Sequence, residues 1–289
     1  MKWRFIMTGR CNLNCYFCMK EYCVNAVSDT LLKINDYDKI LNIAQIYDSK
    51  TEITLTGGEP LMYKNIINMV DFCKYKNYHV TIVTNGILLL DYVNDLKNVS
   101  EIHVSVHSLE FSEWSKITYG NLEQFNKLKE GIIAVRQKYP TLPIRMNIVG
   151  TEANSKEESI QKYIDFANEN NLTICVFREG YLDWAKQNNV EVTAPPFRHK
   201  LWDLEGLGAQ LIDSQINQSV YMLEKVKIIL RETSTHVPMW NSVWIDPNGV
   251  AYVDIMLSGS RILLDLADEE ILKIQLRELL KDAKKIGDE

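Results

Sequence analysis

Residues 2–18 read KWRFIMTGRCNLNCYFC and residues 52–60 read EITLTGGEP, and these two stretches decide the fold. Each is a short run rich in β-branched and aromatic residues that ends in unusual loop chemistry, cysteines in one and paired glycines in the other. Counting Lys2–Thr8 and Glu52–Thr56 as strands, four more such runs follow at His79–Thr84, Ile102–His107, Ile144–Val149 and Thr173–Arg178. Helical patterns lie between them at Tyr37–Asp48, Lys64–Lys76, Leu122–Lys138 and Lys156–Asn170, with a shorter one at Leu89–Leu96. In the last long one Ile160, Ile164, Phe166 and Ala167 follow the 3.6-residue period. Ser155 and Glu158, three apart at its start, predict a capping box. Strand–helix alternation of this kind implies a parallel sheet with right-handed crossovers. Six units fit either a doubly wound sheet or an open, partial barrel, and periodicity alone does not choose.

After Tyr181 the rhythm changes, which divides the chain into a unit over 1–181 and a tail over 182–289. Ala194-Pro195-Pro196 breaks structure, and Leu201–Arg231 reads as largely helical. Ser242–Val253 reads as a hairpin turning at Asp246-Pro247-Asn248-Gly249, and a helix from about Glu269 ends the chain. The tail is expected to be a cap on the sheet or a small second unit.

Composition narrows the classes. With 32 Lys and Arg against 38 Asp and Glu in 289 residues, the net charge of −6 argues against nucleic-acid binding by bulk electrostatics. A 46% hydrophobic and 24% charged chain is neither disordered nor collagen-like. No signal peptide and no apolar run of membrane-spanning length is present, so a cytoplasmic protein without membrane attachment is expected. Six cysteines are too few for a disulfide scaffold. Three of them, Cys11, Cys15 and Cys18, fall within eight residues, and in a reducing compartment such crowding reads as metal binding.

In a parallel α/β fold the carboxyl ends of the strands carry the active site, and the three cysteines fall at the first of these. Three thiolates can hold three irons of a [4Fe–4S] cluster, whose usual protein complement is four cysteines. The missing fourth leaves an open position of the kind a working metal site keeps. The alternative is a structural zinc site closed by a distant Cys or His, or by Cys23, which is close enough to be the fourth ligand. The second strand ends in Gly57-Gly58-Glu59-Pro60, where glycines admit a close backbone approach and Glu59 offers a carboxylate to a cationic group.

Taken together, CNLNCYFC after the first strand and LTGGEP after the second resemble the radical S-adenosylmethionine (SAM) superfamily. That resemblance implies a partial (β/α)6 barrel with a C-terminal cap. It implies that Cys11, Cys15 and Cys18 bind a [4Fe–4S] cluster whose fourth iron is chelated by SAM. By the same resemblance Phe17 lies beside the adenine, and Gly57, Gly58, Glu59 and Pro60 receive the methionine amino group. Val83-Thr84-Asn85-Gly86 and Val104-Ser105-Val106-His107 extend the match, making Thr84 and Ser105 expected SAM contacts. Residues 116–132, KITYGNLEQFNKLKEGI, are similar to the corresponding stretch of the molybdenum-cofactor GTP cyclase and of SPASM-type peptide maturases. The likeness is good over about residues 3–180 and weak beyond.

Further residues follow from their positions. His107 stands where relatives commonly have Asp; it either touches SAM or substrate or is hydrogen-bonded structure. Arg145 and Asn147 alternate with Ile144, Met146 and Ile148, so period two turns the polar pair toward the interior. Their partner is SAM, a substrate carboxylate, or Glu179 or another carboxylate in an internal ion pair. Arg178 and Glu179 end the sixth strand at the mouth. Cys175 is either a thiol able to return hydrogen to a substrate radical or buried packing, and Cys73 is read as core. VWIDPNGVAYVDIM followed by ILLDLADEEIL is similar to a SPASM tail in which Asp254 takes the place of the cluster-binding cysteine, so a thiolate-held auxiliary cluster is not expected. Trp184, Trp202, Trp240 and Trp244 either wall the pocket or pack the core.

The expected function is a single-cluster radical SAM enzyme. Reductive cleavage of SAM would give a 5′-deoxyadenosyl radical that abstracts hydrogen from a small biosynthetic molecule (a nucleotide, sugar or amino-acid derivative). A flavodoxin or ferredoxin is the implied reductant. With the first strand starting at Lys2, no leader-peptide recognition domain is expected ahead of it. The alternatives are a ribosomal-peptide maturase acting as epimerase or cross-linker, a viperin-like nucleotide dehydratase, and a non-catalytic metal or electron-transfer module.

Overall fold

The computed structural model describes residues 1–18, 32–47, 51–178, 198, 200–215, 218–232, 242–253 and 261–288. Strands β1 (Lys2–Ile6), β2 (Glu52–Thr56), β3 (His79–Thr84), β4 (Glu101–Ser105), β5 (Ile144–Val149) and β6 (Thr173–Arg178) lie side by side in chain order, each parallel to the one before. Between them run helices α1 (Ile34–Tyr47), α2 (Ile66–Tyr75), the one-turn α3 (Leu89–Tyr92), α4 (Phe111–Thr118), α5 (Leu122–Lys138) and α6 (Glu157–Asn170). A doubly wound sheet needs a reversal in strand order, and β1 to β6 show none. Right-handed crossovers that always step the same way place the helices on one face. The architecture is therefore the singly wound, open partial barrel.

Side-chain alternation sorts the two faces. Trp3, Phe5, Ile53, Leu55, Val80, Ile82, Val104, Met146, Ile148 and Ile174 are buried against Ile40, Val70, Leu128, Ile132, Ile160 and Ile164 of the helices. Each such side chain contributes about 1.5–3 kcal/mol by leaving water. The intervening positions, among them Arg4, Thr54, Thr81, His103, Ser105, Arg145, Asn147 and Cys175, line the other face. A polar inner wall backed by an apolar helical layer is what the period-two reading of β5 predicts.

Two strands continue the parallel sheet beyond these six. β9 (Val226–Glu232) runs parallel to β6, and β10 (Ser242–Ile245) runs parallel to β1. Antiparallel additions then extend each edge: β8 (Gln218–Leu223) and β7 (Gln210–Gln215) beyond β9, and β11 (Val250–Tyr252) and β12 (Arg261–Leu263) beyond β10. The helical reading of Leu201–Arg231 is thereby overturned. Val226, Ile228 and Leu230 follow period two and bury themselves in the main core. The β8–β9 turn lacks a glycine signal because Glu224 itself adopts the left-handed conformation, at φ 53°.

The turn between β10 and β11 forms as its residues predict. Asp246 Oδ1 accepts the amides of Asn248 at 2.8 Å and Val250 at 3.0 Å, and Gly249 takes φ 84°. The final helix, α7 (Glu269–Asp288), packs on α1 and β10. The capping box expected at Ser155 and Glu158 is not made: Lys156 occupies the N-cap of α6 without a side-chain bond, and Ser155 Oγ donates to the Glu152 carbonyl. A reciprocal box forms instead on α5, between Asn121 and Gln124. Among the described residues no helix is long and apolar enough to cross a membrane.

Candidate active site

The loop leaving β1 carries Cys11, Cys15 and Cys18, all half-buried, at the carboxyl end of the sheet. Its path is set by the surrounding turns. Asn14 and Tyr16 donate their amides to the Thr118 and Ile117 carbonyls at the end of α4, at 3.2 and 3.1 Å. The Gln124 side chain, already in the α5 capping box, donates through Nε2 to the Asn12 carbonyl at 2.9 Å. Sequence inspection gave no role to Asn12 or Gln124, because these ties join segments more than a hundred residues apart.

The Gly57-Gly58-Glu59 turn holds the same loop from the other side. The Gly58 amide donates to the Thr8 carbonyl at 2.8 Å and the Glu59 amide to the Arg10 carbonyl at 2.7 Å. A Cβ at Gly57 would lie 2.5 Å from the Thr8 oxygen, and one at Gly58 would lie 2.1 Å from the Arg10 oxygen. Gly57 also has φ 138°, a region L side chains rarely adopt. The glycines thus admit the protein's own backbone at the root of the cysteine loop.

Glu59 is completely buried. Its carboxylate accepts the Leu61 amide at 3.0 Å, the Thr84 hydroxyl at 2.7 Å and the Asn85 amide at 2.7 Å. Burial pushes the carboxyl up to about 7, against the opposing pull of the Asn85, Thr84 and Leu61 hydrogen bonds. Thr84, 2% exposed, also accepts the Gly86 amide at 3.0 Å. Pro60 is buried in the first turn of a short 3-10 helix, Pro60–Met62. Asn85 closes the arrangement: its Nδ2 lies 2.6 Å from Asn12 Oδ1 and 3.7 Å from Cys11 Sγ. Three strand-end turns are therefore fastened to each other by the cysteine motif, the GGEP turn and the Thr84-Asn85 turn after β3.

At the end of β4 the His107 ring meets Phe17 edge to face, with centroids 4.8 Å apart. The Val149 amide donates to His107 Nδ1 at 3.3 Å. An amide can only donate, so Nδ1 is the acceptor and Nε2 carries the hydrogen. Burial lowers the ring's pKa to about 4, and His107 is neutral at pH 7. Below it on the inner wall, Ser105 stands opposite Asn147 in the β4–β5 register. Arg145 Nε donates to Asn147 Oδ1 at 2.9 Å, and its Nη2 lies 2.9 Å from His103 Nδ1. His103 Nε2 is 2.9 Å from Glu101 Oε1, a close contact whose alignment falls short of a hydrogen bond. Burial, reinforced by Arg145 and opposed by Glu101, lowers His103 to about 4.

Cys175 is fully buried on the same wall, packed with Val220, Ile229 and Phe177. Burial raises its thiol pKa, against the pull of Arg145 and Arg231. Cys73 is core, as read. Trp202 is core as well, while Trp244 stacks under Arg4, whose guanidinium is 5.0 Å from the ring. Glu179, Cys23, Asp254, Trp184, Trp240 and Ala194-Pro195-Pro196 lie outside the described residues, as does the side chain of Arg178.

The donor set fits an iron–sulfur cube. Among the described residues no three His, Cys, Asp or Glu side chains converge as ligands of a single ion do. A four-iron cluster instead spreads its thiolates over separate irons, and three cysteines on one anchored loop, with an amide donor aimed at Cys11 Sγ, suit that.

The fold and this strand-end loop define an α/β-barrel metalloenzyme scaffold. The family model described as the radical SAM superfamily matches residues 5–165, and the chain belongs to the radical SAM superfamily. Its members are enzymes that use a [4Fe–4S] cluster and SAM. The probable GTP 3′,8-cyclase of Sulfolobus acidocaldarius is 28% identical over 172 residues, 58% of this chain and 52% of that one. The GTP 3′,8-cyclase of Peptoclostridium acidaminophilum is 25% identical over 232 residues, 78% of this chain and 64% of that one. The chain thus spans roughly half to two thirds of the length of these relatives. Among solved structures, SuiB of Streptococcus suis superposes with a TM-score of 0.63 at 17% identity. In its SAM-bound form 91% of this chain and 62% of that chain are covered; it is also known bound to its precursor peptide SuiA. At that identity the likeness establishes the fold.

Proposed function

We propose that this protein reductively cleaves SAM at a single [4Fe–4S] cluster held by Cys11, Cys15 and Cys18, and acts on a small biosynthetic molecule, a nucleotide before a sugar or amino-acid derivative. When bound, the cluster supplies the electron that splits SAM into methionine and a 5′-deoxyadenosyl radical able to take hydrogen from an unactivated carbon. The electron comes from a one-electron protein reductant of the flavodoxin or ferredoxin class.

One observation carries this reading: the Glu59 carboxylate, Thr84 and Asn85 lock the turns after β2 and β3 against the root of the cysteine loop. An electron-transfer module needs no such frame for a second ligand beside its cluster. The chain's residues then have distinct tasks. The three thiolates leave one iron open for SAM. Gly57, Gly58, Glu59 and Pro60 set the loop that receives the amino acid end of SAM, with Thr84 bracing that loop from inside. Phe17 and neutral His107 form a paired aromatic edge for the adenosyl group, with Ser105 and Asn147 beneath. Arg145 orients the substrate from the inner wall. A nucleotide is favoured because curated relatives of this chain are GTP 3′,8-cyclases.

A peptide substrate is the second reading. The outermost strand, β7, is exposed along its whole length, with Leu211 and Ile212 each about half exposed. An extended peptide can add to such an edge.

The test is anaerobic loading with iron and sulfide, then SAM and dithionite, with 5′-deoxyadenosine followed by mass spectrometry. Formation that disappears in Cys15→Ala is expected. A fully loaded protein that binds no SAM and forms no 5′-deoxyadenosine would overturn the reading.

A further inference from the structure

Four polar side chains form one continuous line up the inner wall, crossing from β4 to β5. Glu101 and His103 lie two apart on β4, Arg145 and Asn147 two apart on β5, and the register pairs His103 with Arg145 and Ser105 with Asn147. Glu101 Oε1 is 2.9 Å from His103 Nε2, His103 Nδ1 is 2.9 Å from Arg145 Nη2, and Arg145 Nε is 2.9 Å from Asn147 Oδ1. A guanidinium only donates, so His103 Nδ1 is an acceptor and the ring's hydrogen sits on Nε2, toward Glu101. The same rule orients Asn147. Its Oδ1 must face Arg145 Nε, because the amide turned over would set two donors against each other. Nδ2 therefore points away from Arg145.

Charge is balanced within the line. Burial works against the Glu101 carboxylate, but His103 and Arg145 hold its pKa below the ordinary value, so Glu101 is ionised at pH 7. Arg145 thus has an internal counter-charge, with neutral His103 between the two. What the line leaves over is one donor. Asn147 is 8% exposed, and among the described residues its Nδ2 makes no hydrogen bond. A buried amide donor without an acceptor is unfavourable. This one sits opposite Ser105, one step down the inner wall from His107, whose ring meets Phe17.

We propose that His103 and Arg145 are positioning residues that hold Asn147 as a hydrogen-bond donor, through Nδ2, to the adenosyl group of SAM. Only Asn147 touches SAM; His103 acts on it through Arg145. A donor whose amide orientation is fixed before binding needs no further ordering when the ligand arrives. Arg145 Nη1 makes no hydrogen bond among the described residues, which leaves the same arginine able to reach a substrate. The inference deepens the enzyme reading and rests on it for SAM binding.

The test uses the cluster-loaded full chain with SAM as probe, by equilibrium dialysis, urea unfolding and nitrogen NMR of the histidine rings. His103→Leu removes the acceptor for Arg145, His103→Gln offers an amide oxygen in its place, and Asn147→Leu removes the donor itself. Lys162→Gln on the outer surface of α6 is the control. SAM binding about tenfold weaker is expected in Asn147→Leu and His103→Leu. Recovery is expected in His103→Gln, and wild-type affinity in the control. A merely structural histidine would lower urea stability and leave the SAM affinity of the folded protein unchanged. The His103 ring should show the neutral Nε2–H form at pH 7. Wild-type SAM affinity in folded His103→Leu, no recovery in His103→Gln, or a ring protonated at Nδ1 would overturn the positioning line. Should Asn147→Leu not fold, the two His103 variants and the ring spectrum decide. 5′-Deoxyadenosine is measured on the same preparations. A loaded wild type that binds no SAM and forms none overturns the enzyme reading and this inference with it. SAM binding and 5′-deoxyadenosine formation, with undiminished affinity in His103→Leu, overturn the positioning line alone.

Discussion

The side-chain amide of Asn85 lies 3.7 Å from the Sγ of Cys11, so the turn after the third strand touches the first residue of the cysteine motif. Hydrogen bonds to cluster sulfurs stabilise the reduced, more negative state and raise the reduction potential. Asn85→Ala is therefore expected to lower the midpoint potential of the loaded cluster while leaving three-cysteine ligation in place. Redox titration followed by electron paramagnetic resonance measures this. A potential equal to wild type would show that the amide serves only Asn12.

Gly58 admits no side chain. With a Cβ 2.1 Å from the Arg10 oxygen, Gly58→Ala must displace the backbone that leads into Cys11. The cost expected for overpacking of this kind is about 1–3 kcal/mol. The displacement should also appear as lower iron content after loading, at equal protein concentration. Full iron loading together with wild-type urea stability would contradict the close approach.

Much of this frame was legible in the sequence, for identifiable reasons. Parallel strands buried behind helices read as apolar runs, and β2, β3, β5 and β6 fall at the expected residues. Arg145 and Asn147 were readable because period two needs only neighbouring residues. Arg4 alternates with Trp3 and Phe5 in the same way and offered the same signal. Arg231 did not, because its segment reads as helical while the Glu224 turn carries no glycine. The ties from Glu59 to Thr84 and Asn85 span about 25 residues, and their partners depend on strand order. Spacing along the chain therefore reveals the motif residues but not which of them fasten to each other.

Glu59 should leave a signature in the pH dependence of stability. Its carboxyl sits at about 7 in the fold, against an ordinary value of 4.5. The folded protein thus holds this proton more tightly than the unfolded chain. The resulting stabilisation is complete below about 4.5 and is lost as pH rises through about 7. A displacement of that size corresponds to about 3 kcal/mol. Urea unfolding at pH 5 and pH 8 should show the stability of wild type relative to Glu59→Gln falling by that order as pH rises. A difference independent of pH would mean the carboxyl is already ionised at pH 5.

His107 works in the opposite sense. Its ring is 7% exposed and its pKa stands at about 4 rather than 6.5, because burial disfavours the imidazolium. The unfolded chain takes up the proton first, so stability is full above about 6.5 and declines as pH falls toward 4. The amount at stake is again about 3 kcal/mol. His107→Phe keeps a ring against Phe17 but leaves the Val149 amide without its acceptor, at a cost of about 1–3 kcal/mol at pH 7. The variant should therefore be the less stable protein at pH 7 and lose its disadvantage by pH 4.5. Denaturant unfolding of both proteins at the two pH values decides the matter. A gap that stays constant with pH would show that His107 keeps its ordinary pKa in the fold, so that burial does not disfavour the imidazolium there.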